Sequence, residues 1–115
     1  ENKGKGQFEK RALCTEAQLG PVTGIVVDDF DQDGLMDALL AGNDYSTEAS
    51  TGRYDAMTGL FLKGDGKGHF LPVSSYLSGF SASQDVKCLA KLTLPDRRRA
   101  VLVANNGAKM EAYIY

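Results

Sequence analysis

Short apolar or β-branched runs, fenced by glycine and polar residues, recur along the chain: Gly24-Ile25-Val26-Val27, Ala38-Leu39-Leu40-Ala41-Gly42, Gly59-Leu60-Phe61-Leu62 and Ala100-Val101-Leu102-Val103. Runs of four to eight such residues between turn-forming clusters predict strands. They place strands at 24–28, 37–43, 59–64 and 70–74, then at 86–92, 100–106 and 111–115. Residues 44–58 are polar and rich in Ser and Thr, and form a long connection. Residues 75–84 link the fourth strand to the fifth.

The pattern repeats. Gly66-Lys67-Gly68-His69-Phe70 echoes Gly4-Lys5-Gly6-Gln7-Phe8 at an offset of 62 residues, and the same offset lays Ala38–Asn43 over Ala100–Asn105 and Val26-Val27 over Cys88-Leu89. The expected fold is therefore all-β. Its units are antiparallel four-stranded meanders, about two repeats of about 62 residues, a period that suits a β-propeller-type blade or another sheet module, either as a fragment of a larger propeller or with edges that pair between molecules. Residues 1–13, through Gln7–Leu13, read as the last strand of a preceding blade. Residues 14–75 read as a complete blade, and 76–115 as a degenerate, incomplete second one. Both ends read as cut. The exposed edges of partial blades invite self-association.

Composition changes this picture little. The chain has 115 residues and a net charge of −2, so no overall field draws it to nucleic acid or to an anionic membrane. No apolar run approaches the roughly 18 residues of a membrane span. Cys14 and Cys88 make neither a disulfide framework nor a metal spacing, and leave one disulfide or two buried thiols open.

Local charge changes the picture more. Asp28-Asp29-Phe30-Asp31-Gln32-Asp33-Gly34-Leu35-Met36-Asp37 carries five aspartates in ten residues, with no Lys or Arg among them. Carboxylates this close repel one another unless a cation neutralises them. Counting from Asp29, side-chain oxygens fall at positions 1, 3, 5 and 9 (Asp29, Asp31, Asp33 and Asp37). The carbonyl of Leu35 falls at position 7, and Gly34 allows the loop to reverse. Oxygen donors on a flexible loop favour Ca²⁺ over Mg²⁺. An EF-hand would need an acid at position 12 and flanking helices, but Leu40 stands there and the flanks read as strands. A turn using Asp for local hydrogen bonding alone needs one or two such residues, not four in a fixed phase. In the second repeat, Lys91, Thr93, Pro95 and Arg99 overlie the four aspartates, so no metal is expected there.

The other motifs read as structure. Asp65-Gly66-Lys67-Gly68 leads into a strand, so it is a hairpin turn and not a phosphate loop. His69 belongs to that turn, overlies Gln7, and is no catalyst. Arg97-Arg98-Arg99 is a solvated basic turn. No nucleophile and base stand together, so no enzyme is expected. Tyr45, Arg53 and Tyr54 in the long connection form a candidate ligand-binding surface, since rings stack on sugars and Arg donates hydrogen bonds. The competing account is a loop packed on its own blade.

The stretch from Val26 to Asn43, followed by Gly59-Leu60-Phe61-Leu62-Lys63-Gly64-Asp65-Gly66-Lys67-Gly68-His69-Phe70, resembles the FG-GAP/VCBS repeat. That repeat is known from integrin α-chain propellers and from bacterial and cartilage-acidic-protein-type secreted proteins. The likeness is strong over 24–75 and weak over 4–13 and 86–115. It implies a propeller blade with Ca²⁺ held by Asp29, Asp31, Asp33, the Leu35 carbonyl and Asp37. It also implies a secreted, periplasmic or cell-envelope setting, and a protein, matrix or glycan partner for an adhesion-type module. A lectin-like module, or an appendage of a secreted enzyme, is the alternative.

Overall fold

The computed structural model describes all 115 residues. A hairpin of β1 (Asn2–Gly4) and β2 (Gln7–Phe8) precedes a single 3-10 turn at Thr15–Gln18. Four antiparallel strands then follow as a meander, β3 (Val22–Asp28), β4 (Asp37–Gly42), β5 (Leu60–Gly64) and β6 (Phe70–Val73), paired in sequence order. One helical turn, α1 (Ser75–Ser78), leads to a second antiparallel sheet of β7 (Val86–Thr93), β8 (Arg99–Asn105) and β9 (Glu111–Ile114). The architecture is all-β, with three separate antiparallel sheets and none closed on itself. The seven strands read from the sequence all form, with ends displaced by at most two residues.

Burial explains the run lengths. In β3 the side alternates, with Gly24, Val26 and Asp28 buried while Thr23, Ile25 and Val27 are exposed. Every residue of β4 is buried, because its two faces meet two different cores. Leu39 and Ala41 join Val26 and Phe61 against Val86, Leu89, Val101 and Val103 of the second sheet, with Phe80 and Ala82 of the linker closing that core. Ala38, Leu40 and Leu62 face the other way, onto Ala17 of the 3-10 turn, with Cys14 and Phe70 at the margin. A strand buried on both faces must be apolar throughout, which is why Ala38–Ala41 shows no alternation. Each fully buried Leu or Val here is worth about 1.5–3 kcal/mol relative to exposure.

The two main sheets stack most closely where β3 crosses β7. A Cβ on Gly24 would lie 2.7 Å from the Leu89 backbone nitrogen, so only glycine permits this approach. Beside it, the Thr23 hydroxyl donates to the Val86 carbonyl. Thr23 is the extra residue of a bulge: Val22 pairs with Gly42 and Gly24 with Ala41.

The second sheet reproduces that irregularity, and so corrects the repeat register. Val86 pairs with Asn105 and Cys88 with Ala104, so Val22 corresponds to Val86, 64 residues on, and Gly42 to Asn105, 63 residues on. The N–H of Asn43 donates to the Pro21 carbonyl, and the N–H of Asn106 donates to that of Asp85, in the same relation. A gapless shift of 62 is therefore wrong for these strands. The β3–β4 loop spans 29–36 and the β7–β8 loop only 94–98, so the offset cannot stay constant through them. A slip of one residue matters because it would turn each side chain to the opposite face.

The N-terminal hairpin does keep the 62-residue offset. Asn2 pairs with Phe8 as Gly64 pairs with Phe70. The strand expected over 7–13, however, is limited to Gln7–Phe8. Only Glu9 extends it, exchanging backbone hydrogen bonds with Glu1. Residues 10–13 have no neighbouring strand in this chain, and without a ladder their backbone takes no strand structure. Both cysteines are free. Cys14 is half-buried, while Cys88 is exposed on the outer face of the second sheet, so neither of the two alternatives left open, one disulfide or two buried thiols, is seen.

Candidate metal centre

The acidic loop joins β3 to β4, adjacent strands whose ends pair at Asp28 and Asp37. Two residues turn it with positive φ, Gln32 at 62° and Gly34 at 86°. Backbone donors orient the carboxylates. Asp29 accepts the N–H groups of Asp33 and Gly34, both at 3.0 Å. Asp37 is fully buried and accepts from Phe30 at 3.1 Å and from Gly64 at 2.9 Å, which ties the loop to β5. Asp31 accepts from Asp33 N–H at 3.3 Å, and Asp33 from Leu35 N–H at 2.9 Å.

Asp29, Asp31 and Asp37 converge, with one carboxylate oxygen from each lying within 4.8 Å of the others. Oxygens at about 2.3–2.6 Å from a calcium ion can stand at most about 5 Å apart, so this spacing fits one shared hard cation. A carboxylate that accepts one or two N–H bonds retains lone pairs for metal. Asp33 stands outside the triad. Its carboxylate turns to the Lys63 ammonium at 2.8 Å, and the same ammonium bonds Asp31.

Lys63 is the main feature the sequence did not disclose. It lies far from the loop in the chain and reaches it because β5 pairs with β4. Its hydrogen bonds to Asp31 and Asp33 push its own pKa up, and its ammonium, with the Leu35 N–H, holds Asp33 below the usual carboxylate range. Four loop carboxylates against one ammonium leave a net charge of three negatives, enough to attract a divalent ion. The only signal was a lysine closing the apolar run Leu60-Phe61-Leu62.

A second ionic group sits directly behind the loop and joins the sheets. Asp28 is nearly buried and is bonded by Arg99 at 2.8 Å, Lys91 at 2.9 Å and the Tyr115 hydroxyl at 2.9 Å. Burial alone would raise its pKa. The Lys91 ammonium, the Tyr115 hydroxyl, the Asp29 N–H and the Arg99 guanidinium outweigh that and hold it low. Burial and the neighbouring Asp28 push the Tyr115 phenol up to about 12. Arg99 also donates to the Asp29 carbonyl and lies over the Tyr115 ring, so it is not a solvated turn residue as expected. Arg98 pairs with Asp96 in the turn itself.

The remaining sequence candidates lie elsewhere. Tyr45 spends its hydroxyl on the Ser83 carbonyl at 3.0 Å, and its ring is covered by Arg53 at 4.7 Å. Tyr54 remains exposed, and its backbone forms an isolated antiparallel bridge with Asp44. His69 sits on Asp65 at 2.8 Å in the β5–β6 turn. The N–H groups of His69 and Lys67, with the His69 ring, lower Asp65 to about 2. Asn43, which sequence reasoning passed over, is fully buried at φ 94°. It bonds Met57 through both N–H and C=O, and bonds the Ser83 carbonyl, pinning the long connection to the linker.

These features define an all-β protein of stacked meander sheets with an acidic hairpin loop at one end. No family model, curated protein or solved structure matches the chain.

Proposed function

We propose that this chain is a calcium-stabilised, non-enzymatic module built from β-propeller-type blades, in a secreted or cell-surface protein that contacts a protein or matrix partner. The observation that carries this reading is the convergence of Asp29, Asp31 and Asp37 on one hairpin, with backbone N–H groups orienting each carboxylate. Asp33 and the Leu35 carbonyl complete the set once the cation displaces the Lys63 ammonium from Asp33. The ion is structural. It fixes the angle between β3 and β4 and, through Asp28 and Asp29, the contact with Arg99 on the second sheet. Propeller-type stacking is supported by the two meanders, which share one bulge position and lie face to face.

Titration calorimetry on chelator-stripped protein tests the reading. Calcium binds with a dissociation constant on the order of 10⁻⁴–10⁻³ M, and magnesium binds more weakly because it demands a tighter octahedron. Calcium raises the melting temperature, and Asp31→Ala removes that rise. Neither heat nor thermal shift at millimolar calcium would refute the assignment.

A further inference from the structure

Asn106-Gly107 turns the chain from β8 into β9, and the dipeptide carries a chemistry of its own. A side-chain amide or carboxyl can be attacked by the next backbone nitrogen, which closes a five-membered succinimide ring. Glycine hinders that closure least, having no Cβ. Turn geometry accounts for the glycine itself, since Gly107 stands at φ 70°. Whether the ring can form depends on how freely nitrogen and side chain meet, and here the candidate sites differ. Asp33, Asp65 and Asn106 each precede a glycine. At the first, the Gly34 N–H is engaged, donating to Asp29 at 3.0 Å. Asp65 is held as an anion by the Lys67 and His69 N–H groups and the His69 ring, and a carboxylate anion, unlike an amide, offers no leaving group. Asn43 and Asn105 are amides, but the attacking N–H is taken in both: Asp44 N–H donates to Tyr54 and Asn106 N–H to Asp85. At Asn2 the side chain of Lys3 hinders closure. Asn106 alone combines an exposed amide with a following N–H, that of Gly107, which has no hydrogen-bond partner within the chain.

The amide has a structural task. Its Nδ2 donates to the Asp85 carboxylate at 3.0 Å, while the Asn106 N–H donates to the Asp85 carbonyl at 2.8 Å. Asp85 is buried and has one ammonium beside it, that of Lys87 at 2.6 Å. Asn106 thus latches the end of the linker to β8, and the same linker carries Phe80 and Ala82, which close the core between the two main sheets.

We propose that Asn106 is a self-modification site whose product releases this latch. The Gly107 nitrogen, on losing its proton, bonds to the Asn106 Cγ. The bond from Cγ to Nδ2 breaks, and Nδ2 leaves as ammonia after taking a proton from solvent. Water then opens the succinimide. Attack at Cγ gives aspartate, and attack at the main-chain carbonyl gives isoaspartate, in which the backbone runs through Cβ and Cγ. Water is the only co-reactant, and nothing is oxidised or reduced. Either product exchanges the amide donor for a carboxylate. The aspartate sets that carboxylate against Asp85, and two like charges so close disfavour each other's ionised form. The isoaspartate lengthens the turn by one backbone atom and misplaces the group. In both, Asp85 loses its Asn106 side-chain partner and the linker loosens irreversibly.

The inference involves neither the acidic loop nor a cation. Its readout is a covalent change, so it and the calcium reading fail separately.

Peptide-mapping mass spectrometry and melting curves on the full chain test it, fresh and after incubation in warm, mildly alkaline buffer, beside Asn106→Gln and Asn106→Asp. Wild type releases one ammonia per chain. Its peptide bearing residue 106 gains the mass of an NH2-to-OH exchange, and fragmentation shows aspartate and isoaspartate together. The aged protein and fresh Asn106→Asp both melt below fresh wild type, by on the order of 5 °C. Asn106→Gln, whose ring would need six members, shows no gain at residue 106 over the same period. An unchanged mass, a gain that appears first at another asparagine, or an aged sample that melts with the fresh one would each overturn the proposal. The mapping and melting of wild type decide the matter even if a variant fails to fold.

Discussion

Lys63→Met gives the sharpest test of how the acidic loop is neutralised. Methionine keeps an unbranched side chain, one atom shorter, on β5 but removes the ammonium that bonds Asp31 and Asp33. Two effects of opposite sign follow. Without metal, four crowded carboxylates lose their one resident cation, so the stripped protein melts lower. With metal, the substitution removes a positive charge that stands about one carboxylate away from the ion. A divalent ion and an ammonium about 5 Å apart in water repel enough to weaken binding roughly fifteenfold unscreened, and roughly fivefold at physiological salt. Calcium affinity should therefore rise by about five- to fifteenfold, and the gain should shrink as salt increases. The assay is titration calorimetry on wild type and variant at low and physiological ionic strength, with melting curves in chelator. An affinity that falls or stays the same at low salt would show that Lys63 does not compete with the cation, and the electrostatic account of the loop would fail.

Further expectations concern the frame around the site. Gly24→Ala places a methyl group against the Leu89 backbone and costs about 1–3 kcal/mol in denaturant melts; an unchanged midpoint would mean that β3 and β7 are not in tight contact. Asn43→Ala strands the Met57 N–H and the Met57 carbonyl and strains a left-handed backbone, costing on the order of 3 kcal/mol and exposing 44–58 to protease. Asp28 has a lowered folded pKa, so its stabilisation is present above the usual 3.8 and is lost as pH falls through the lower folded value. Denaturation of wild type and Asp28→Asn should differ most at neutral pH and converge in that acid window, whereas a constant gap would remove Asp28 from the inter-sheet clamp.

The positions of the strands were legible because each is a short apolar run between turn formers, a pattern set by neighbours in the chain. The convergence of Asp29, Asp31 and Asp37 was legible for the same reason, since one loop carries all three. Asp33 is a partial exception: its spacing matches the others, but its carboxylate is claimed by a lysine. The repeat was visible as similarity, yet its register was off by one or two residues, because two hairpin loops of different length shift the strands and only the bulge pairing at Thr23 and Lys87 aligns them.

By itself the sequence determined what depends on local order: an all-β chain, its turns, and a loop with more negative charge than turn geometry requires. Tertiary structure alone decided which distant groups meet. It brought Lys63 to Asp31, set Arg99 and Lys91 on Asp28, and spent the Tyr45 hydroxyl on Ser83. The reason is physical. Strand pairing and sheet stacking join residues across 30 to 90 positions of chain, and such contacts follow from register and packing, which no short stretch of residues encodes.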